Sequence, residues 1–302
     1  MHRLSTITIG YFADGPWSHY AFEKMIQDET IHIAFICVRY DKKDSVLQEF
    51  GRKYNIDVLF SPNVNAPDFI NVLKRYNVDL FVSMSFNQIF KAEIINLPKW
   101  KTINCHAGKL PFYRGRNILN WVLINDEKDF GITVHYVDEG IDTGDIILQR
   151  NYSITDDDDY GTLLKRAYIG CADVLYEAVK LIQIGKANAI KQETIDPVGI
   201  YCGMRKSGDE IINWNSTSRE LFNFVRAICK PGPMATSMLN GKMIKINKVR
   251  EVKGAHRYIN TPGQILGKTK DGFYVKTKDT VIEVIEYIYE GIIRVGDRLG
   301  NE

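Results

Sequence analysis

Between Thr6 and His106, short β-branched runs alternate with amphipathic stretches, and that alternation leaves the chain very few folds. Thr6 to Phe12 (TITIGYF), His32 to Val38 (HIAFICV), Asp57 to Phe60, Val78 to Met84 (VDLFVSM) and Thr102 to His106 read as strands. Ser18 to Gln27, Lys43 to Lys53, Pro67 to Tyr76 and Lys91 to Leu97 read as the helices between them. Strands joined through helices run parallel and are covered on both faces, so the expected class is α/β with a mostly parallel, Rossmann-like sheet. Ligands of such sheets lie beyond the carboxyl ends of the strands, and His106 stands at one of those ends.

Further along, Asn117 to Ile124 reads as a buried helix, Gly131 to Val137 (GITVHYV) as an alternating strand, and Ile146 to Gln149 as a short strand. Thr155 and the run Asp156 to Asp159 precede a long helix, about Tyr160 to Ile184, that stops at Gly185. Acidic residues there supply capping oxygens and complement the helix dipole, which outweighs a metal-binding reading. The character changes near residue 190. Thr217 and Glu220 form a capping-box pattern for a helix ending near Cys229, and Pro231-Gly232-Pro233 closes it. Asn240-Gly241, Pro262-Gly263 and Asp271-Gly272 then mark turns between short strands, as in a small β-rich, OB-like domain. The expected organisation is a catalytic domain over 1–190, a linker and helix over 191–230, and a β-rich domain over 231–302.

Charge and cysteine content narrow the function classes. With 39 Lys and Arg against 37 Asp and Glu, the net charge of +2 carries no strong pull toward nucleic acid or membrane. No stretch reaches about 18 uncharged apolar residues and no signal-peptide pattern opens the chain, so a cytoplasmic location with no membrane partner is expected. Cys37, Cys105, Cys171, Cys202 and Cys229 are scattered and form no CxxC pair, which argues for reduced thiols over a disulfide framework or structural zinc.

Residues 103 to 148 hold the chemistry. Asn104 and His106 are i and i+2 on a strand, so they share a face while Cys105 points the other way. The Asn104 amide can donate to an oxyanion, and an imidazole can move a proton near neutral pH. Asp142, between Gly140 and Gly144, can be turned against that imidazole to fix its tautomer and support its positive charge. A hydrogen-bonded strand end and a turn-capping aspartate are the plain structural alternatives. Asp138 can cap the same loop or face a ligand, and His135 suits a packing role about as well as a direct one.

Asn104-x-His106, then Leu110-Pro111-x-x-Arg114-Gly115, then Asp138-x-Gly140-Ile141-Asp142-Thr143-Gly144-Asp145 together resemble the signature of the folate-dependent formyltransferase superfamily. Gly208 to Trp214 (GDEIINW), Val225-Arg226-Ala227 and Pro231-Gly232-Pro233 resemble the C-terminal part of its larger members. The resemblance implies N10-formyltetrahydrofolate as formyl donor, no metal, an amine acceptor, and Asn104, His106 and Asp142 as the catalytic triad. It places Phe86, Gln88, Ile89, Asp138 and Gly140 at the pterin, where Phe86 and Ile89 suit a core role equally well. The absence of GxGxxG lowers a dinucleotide reading of the sheet.

Within the superfamily, the wording HAGKLPFYRGRN resembles enzymes that formylate nucleotide-linked 4-amino-4,6-dideoxy sugars for surface glycans. Residues 40–78 lack the basic insertion usual in methionyl-tRNA formyltransferase, the alternative reading. The expectation is therefore a nucleotide-sugar N-formyltransferase, commonly a homodimer, with nucleic acid not expected as a partner. Lys109, Arg114, Arg116, Tyr201 and Arg205 are the candidates for holding pyrophosphate and base, with Trp214 a weaker one.

Overall fold

A computed structural model describes residues 5–300. Packing divides the chain into two compact units whose segments alternate along the sequence. One comprises the chain up to Gly115 with Phe130–Tyr152 and Lys165–Cys202; the other comprises Arg116–Asp129, Ser153–Leu164 and the chain from Gly203 onward.

The first unit carries the expected α/β sheet. Its elements begin β1 (Ile7–Ala13), α1 (Gly15–Met25), β2 (Ile31–Val38), α2 (Ser45–Tyr54), β3 (Asp57–Leu59), α3 (Pro67–Lys74), β4 (Leu80–Met84), α4 (Ala92–Ile95) and β5 (Thr102–His106). After the two-residue β6 (Arg114–Gly115) the chain forms helix α5 (Ile118–Ile124), which belongs to the second unit, and then come β7 (Asp129–Tyr136), β8 (Ile146–Ser153), α6 (Tyr160–Gln183) and β9 (Tyr201–Cys202). The seven-stranded order is β3-β2-β1-β4-β5-β7-β8. Strands β1 to β5 pair in parallel, and β7 returns antiparallel beside β5.

The continuous apolar runs of β1, β2 and β4 follow from burial on both faces. Phe12 anchors the packing, meeting Phe35, Phe81, Phe86 and Phe90 edge-on at centroid separations of 5.0 to 5.6 Å. Helix starts follow local chemistry: Asp44 accepts from the Leu47 amide at α2, and Pro stands in the first turn of α1 and α3. Helix α4 is shorter than its apolar pattern suggests, because Pro98 disfavours helical geometry at the residue before it. The last strand runs beyond Gln149 to Ser153, where it forms a polar sheet edge.

The second unit is built around α7 (Ser218–Ile228) and the antiparallel strands β10 (Ala235–Leu239), β11 (Lys242–Glu251), β12 (Ile265–Lys268), β13 (Phe273–Lys276) and β14 (Val281–Ile288). Their order is β10-β11-β14-β13-β12. The Thr217–Glu220 capping box forms as its spacing implies. Arg219 on α7 gathers Asp126, Asp156 and Glu251, while the buried Arg226 donates to the Thr155 and Asp158 carbonyls. Part of the acidic run is thereby absorbed by arginines, and Asp159 caps α6 by accepting from the Thr162 amide.

Candidate active site

In the sheet order, the topological switch lies between β1 and β4, and the polar cluster sits at the carboxyl end of the neighbouring β5. The register sets Asn104 directly opposite His135 and His106 opposite Thr133. All four side chains therefore share one face, while Cys105 turns into the core.

His106 Nε2 lies 2.7 Å from the Tyr113 carbonyl oxygen, and Nδ1 lies 3.5 Å from Asp142 Oδ2. Both ring nitrogens thus face acceptors, and only the carbonyl is at full hydrogen-bond distance. Tyr113 holds φ at +60°, which turns its carbonyl back onto the ring. Gly108 makes this possible: a Cβ there would stand 2.4 Å from His106 Nε2 and 2.5 Å from the Tyr113 oxygen. Thr133 Oγ1 donates to the Gly108 carbonyl at 2.7 Å and accepts from Gln149, so the second strand holds the turn in place.

Asp142 lies in the left-handed region at φ +55°. Its Oδ2 accepts from the Gly115 amide at 2.9 Å, and its Oδ1 is 3.5 Å from His135 Nε2. Burial opposes ionisation of this carboxyl, but His106, with the Gly115 amide, holds it well below the usual carboxylate range. Gly144 lets the loop close, since a Cβ there would fall 1.8 Å from the Tyr136 oxygen. Buried Gln192 donates to the Asp142 and Gly144 carbonyls, both at 2.8 Å, and accepts from Arg114 at 2.8 and 3.0 Å. Sequence reasoning did not find Gln192, whose only signal is a polar residue in a charged segment. It did weigh His135, and the GITVHYV alternation already put Thr133 and His135 on one face.

The remaining candidates are distributed unevenly. Phe86 is half-buried against Phe12 and Phe90, while Ile89 is 64% exposed. The Gln88 side chain ties down Val64 and Ser61. Asp138 caps its own loop by accepting from the Gly140 amide and Thr143 hydroxyl. Arg114 spends its guanidinium on Gln192 and the Val198 carbonyl. Lys109 is half-buried, and Tyr201 is exposed beside Arg114 through the parallel β6–β9 pair. Arg116 and Arg205 belong to the second unit, where Arg205 lies 5.7 Å from both the Trp121 and Phe224 rings. Trp214 is core of that unit, donating to Ser237.

An oxyanion donor, an imidazole and a strongly ionised carboxylate within one cluster suit acyl transfer. Residues 34–179 match the family described as Formyl transferase, and residues 205–293 match Formyl transferase, C-terminal domain. The chain belongs to the formyl transferase family. It is a formyltransferase of the kind its motifs resemble, with the α/β sheet and separate antiparallel sheet expected from the sequence.

Two relatives locate this formyltransferase further. The methionyl-tRNA formyltransferase of Caldanaerobacter subterraneus subsp. tengcongensis is 36% identical over 256 residues, spanning 84% of this chain and 81% of that protein. The methionyl-tRNA formyltransferase of Geobacter metallireducens is 34% identical over 241 residues, 80% of this chain and 75% of that protein. Among solved structures, the N-formyltransferase from Helicobacter canadensis in complex with folinic acid and dTDP-3-aminofucose superposes with a TM-score of 0.67 at 19% identity, covering 92% of this chain and 99% of that one. WlaRD, a sugar 3N-formyl transferase crystallised with dTDP and 5-N-formyl-THF, gives 0.66 at 21% identity, covering 92% and 97%. At such identities the sugar enzymes share the fold alone.

The expected nucleotide-sugar acceptor is therefore corrected. Relatives matching at 33 to 36% over four-fifths of the chain are named for methionyl-tRNA, so the exclusion of nucleic acid as a partner falls with it. The physical reason lies in the turn that suggested a sugar. Gly108 is spent on the His106–Tyr113 contact, Arg114 on Gln192, and the Asn117 side chain on the Arg205 amide. Their identities report how the scaffold is braced.

Among the described residues, no group of three or more His, Cys, Asp and Glu side chains could hold a metal, and no helix is long and apolar enough to cross a membrane. All five cysteines are free and buried.

Proposed function

We propose that this formyltransferase carries a formyl group from N10-formyltetrahydrofolate to the primary amine of methionyl-tRNA. The identity to proteins of that name, over four-fifths of both chains, carries the reading. Charge distribution supports it. Residues 235–300, which hold the antiparallel sheet, contain 12 Lys and Arg against 7 Asp and Glu, net +5, more than the +2 of the whole chain. A basic segment of that kind suits a polyanionic acceptor.

N10-formyltetrahydrofolate is the donor, and it supplies the formyl carbon and a nitrogen leaving group. The segment after β4 and the loop after β7 suit it: exposed Ile89 and half-buried Phe86 offer apolar surface, and Gly140 leaves backbone accessible. Across the reaction, the acceptor nitrogen gains a bond to the formyl carbon and loses a proton, while N10 loses its bond to that carbon and gains one. Asn104 donates to the oxygen that becomes negative, an interaction whose loss costs about 10²- to 10³-fold in comparable sites. Donation from His106 Nε2 requires it to leave the Tyr113 carbonyl. Asp142, held strongly in its ionised form, is a weak base, so its work is to orient His106 and stabilise positive charge there.

The test is tetrahydrofolate release with methionyl-tRNA, with UDP-, dTDP- and GDP-linked amino sugars, and with water. Turnover is expected on methionyl-tRNA, with its KM rising at least about tenfold between 50 and 200 mM salt. Turnover confined to an amino sugar would overturn the reading.

A further inference from the structure

His135 is 2% exposed, lies on β7 between β5 and the edge strand β8, and touches two members of the candidate triad while belonging to neither the triad nor the hydrophobic core. Its Nδ1 is 2.7 Å from the Tyr136 carbonyl oxygen, which can only accept. In the neutral imidazole the ring hydrogen therefore sits on Nδ1 and Nε2 keeps its lone pair; Asp142 Oδ1, at 3.5 Å from Nε2, stands beyond full hydrogen-bond distance. Nε2 is 3.3 Å from Asn104 Nδ2, and the register pins the two residues opposite each other.

We propose that His135 is a positioning residue that locks the Asn104 carboxamide with its N–H donors, and not its carbonyl, directed at the reacting formyl oxygen. An Asn amide has two nearly isosteric ends. Rotated by half a turn, Asn104 would present its own carbonyl to a developing oxyanion and repel it. An acceptor at Nε2 takes one Nδ2 hydrogen and leaves the second for the substrate oxygen. Among the described residues, His135 is the side chain that meets Asn104 at its Nδ2 end. The inference rests on formyl transfer at this site and is independent of which amine accepts the formyl group.

Two experiments test it. In the wild-type protein, long-range proton–nitrogen NMR reads which nitrogen of His135 carries hydrogen and whether Nε2 couples to the Asn104 amide. Hydrogen on Nδ1 with that coupling is expected; hydrogen on Nε2, or no coupling, overturns the proposal whatever the acceptor. In a double-mutant cycle, His135→Leu should lower kcat about 10²-fold with the KM for N10-formyltetrahydrofolate held within about twofold. His135→Gln, which keeps an acceptor near Nε2, should recover most of that loss. In an Asn104→Ala background, neither substitution should cost more than about a further twofold. Losses that multiply in that background would show that His135 acts by supporting the strand. If His135→Leu does not fold by circular dichroism, the His135→Gln arm and the wild-type spectra still decide. Absence of turnover on methionyl-tRNA leaves the spectroscopic outcome intact, so failure of the acceptor reading and failure of this one are distinct.

Discussion

Two aspartates in this chain are both held well below the usual carboxylate range, and their surroundings differ. Asp142 is 13% exposed and meets two imidazoles and a backbone amide; Asp126, 37% exposed, meets Arg219 and Lys128. For Asp126, the Arg219 hydrogen bond comes first in pulling the carboxyl down, against a smaller cost of burial. For Asp142, burial is the largest influence and is overcome by groups that can themselves exchange protons. A depressed carboxyl alone does not mark a site. A permanent guanidinium makes a strut, whereas an imidazole can exchange the proton that the proposed chemistry has to move.

The sharpest way to break that contrast is His106→Ala, which should lower kcat about 10³-fold with donor binding kept, as measured by turnover and fluorescence titration. Retained activity would remove the imidazole from the chemistry. Asp142→Asn should follow at about 10²-fold in kcat, because it keeps the Gly115 contact while losing the charge that supports His106. Gly108→Ala forces the His106–Tyr113 contact apart and should cost somewhat less than 10²-fold, with KM for the donor little changed. Asp126→Asn should leave kcat within about twofold and instead lower stability by about 1 kcal/mol, discounted for its exposure, or about 2 to 4 °C in Tm. The smallest effect is in pH. Asp126 has a folded-state pKa below its unfolded value, so its stabilisation is present above about pH 4 and is lost as pH falls through the folded value. The gap between wild type and Asp126→Asn in denaturant melts should therefore be constant from pH 7 to 5 and close below pH 4.

What could be read from the sequence was what local chemistry decides. Strand alternation, the Asp44 and Thr217 caps and the shared face of Asn104 and His106 each depend on residues a few positions apart. The pairing of Arg114–Gly115 with Tyr201–Cys202 does not: two residues have no periodicity, and their partners lie far along the chain. Gln192 was hidden for the same reason. His135 was ambiguous because its meaning depends on the antiparallel register of β7 against β5. The acceptor was misread because a single net charge averaged a basic β-rich segment against an acidic remainder, and because the turn after His106 was taken as facing substrate when Arg114 faces Gln192 and Asn117 faces the Arg205 amide.

Gln192 sets a rule for anyone who would redesign this enzyme. One carboxamide clasps the carbonyls on either side of Thr143 and the Arg114 guanidinium at once, and Ile200 closes the same ring through its backbone bonds to Pro111 and Arg114. The turn after His106, the loop bearing Asp142 and the stretch from Gln192 to Cys202 therefore form one graftable module. Moving the turn alone into a sibling scaffold would leave Arg114 without its glutamine, so an exchange of this turn has to carry all three pieces together.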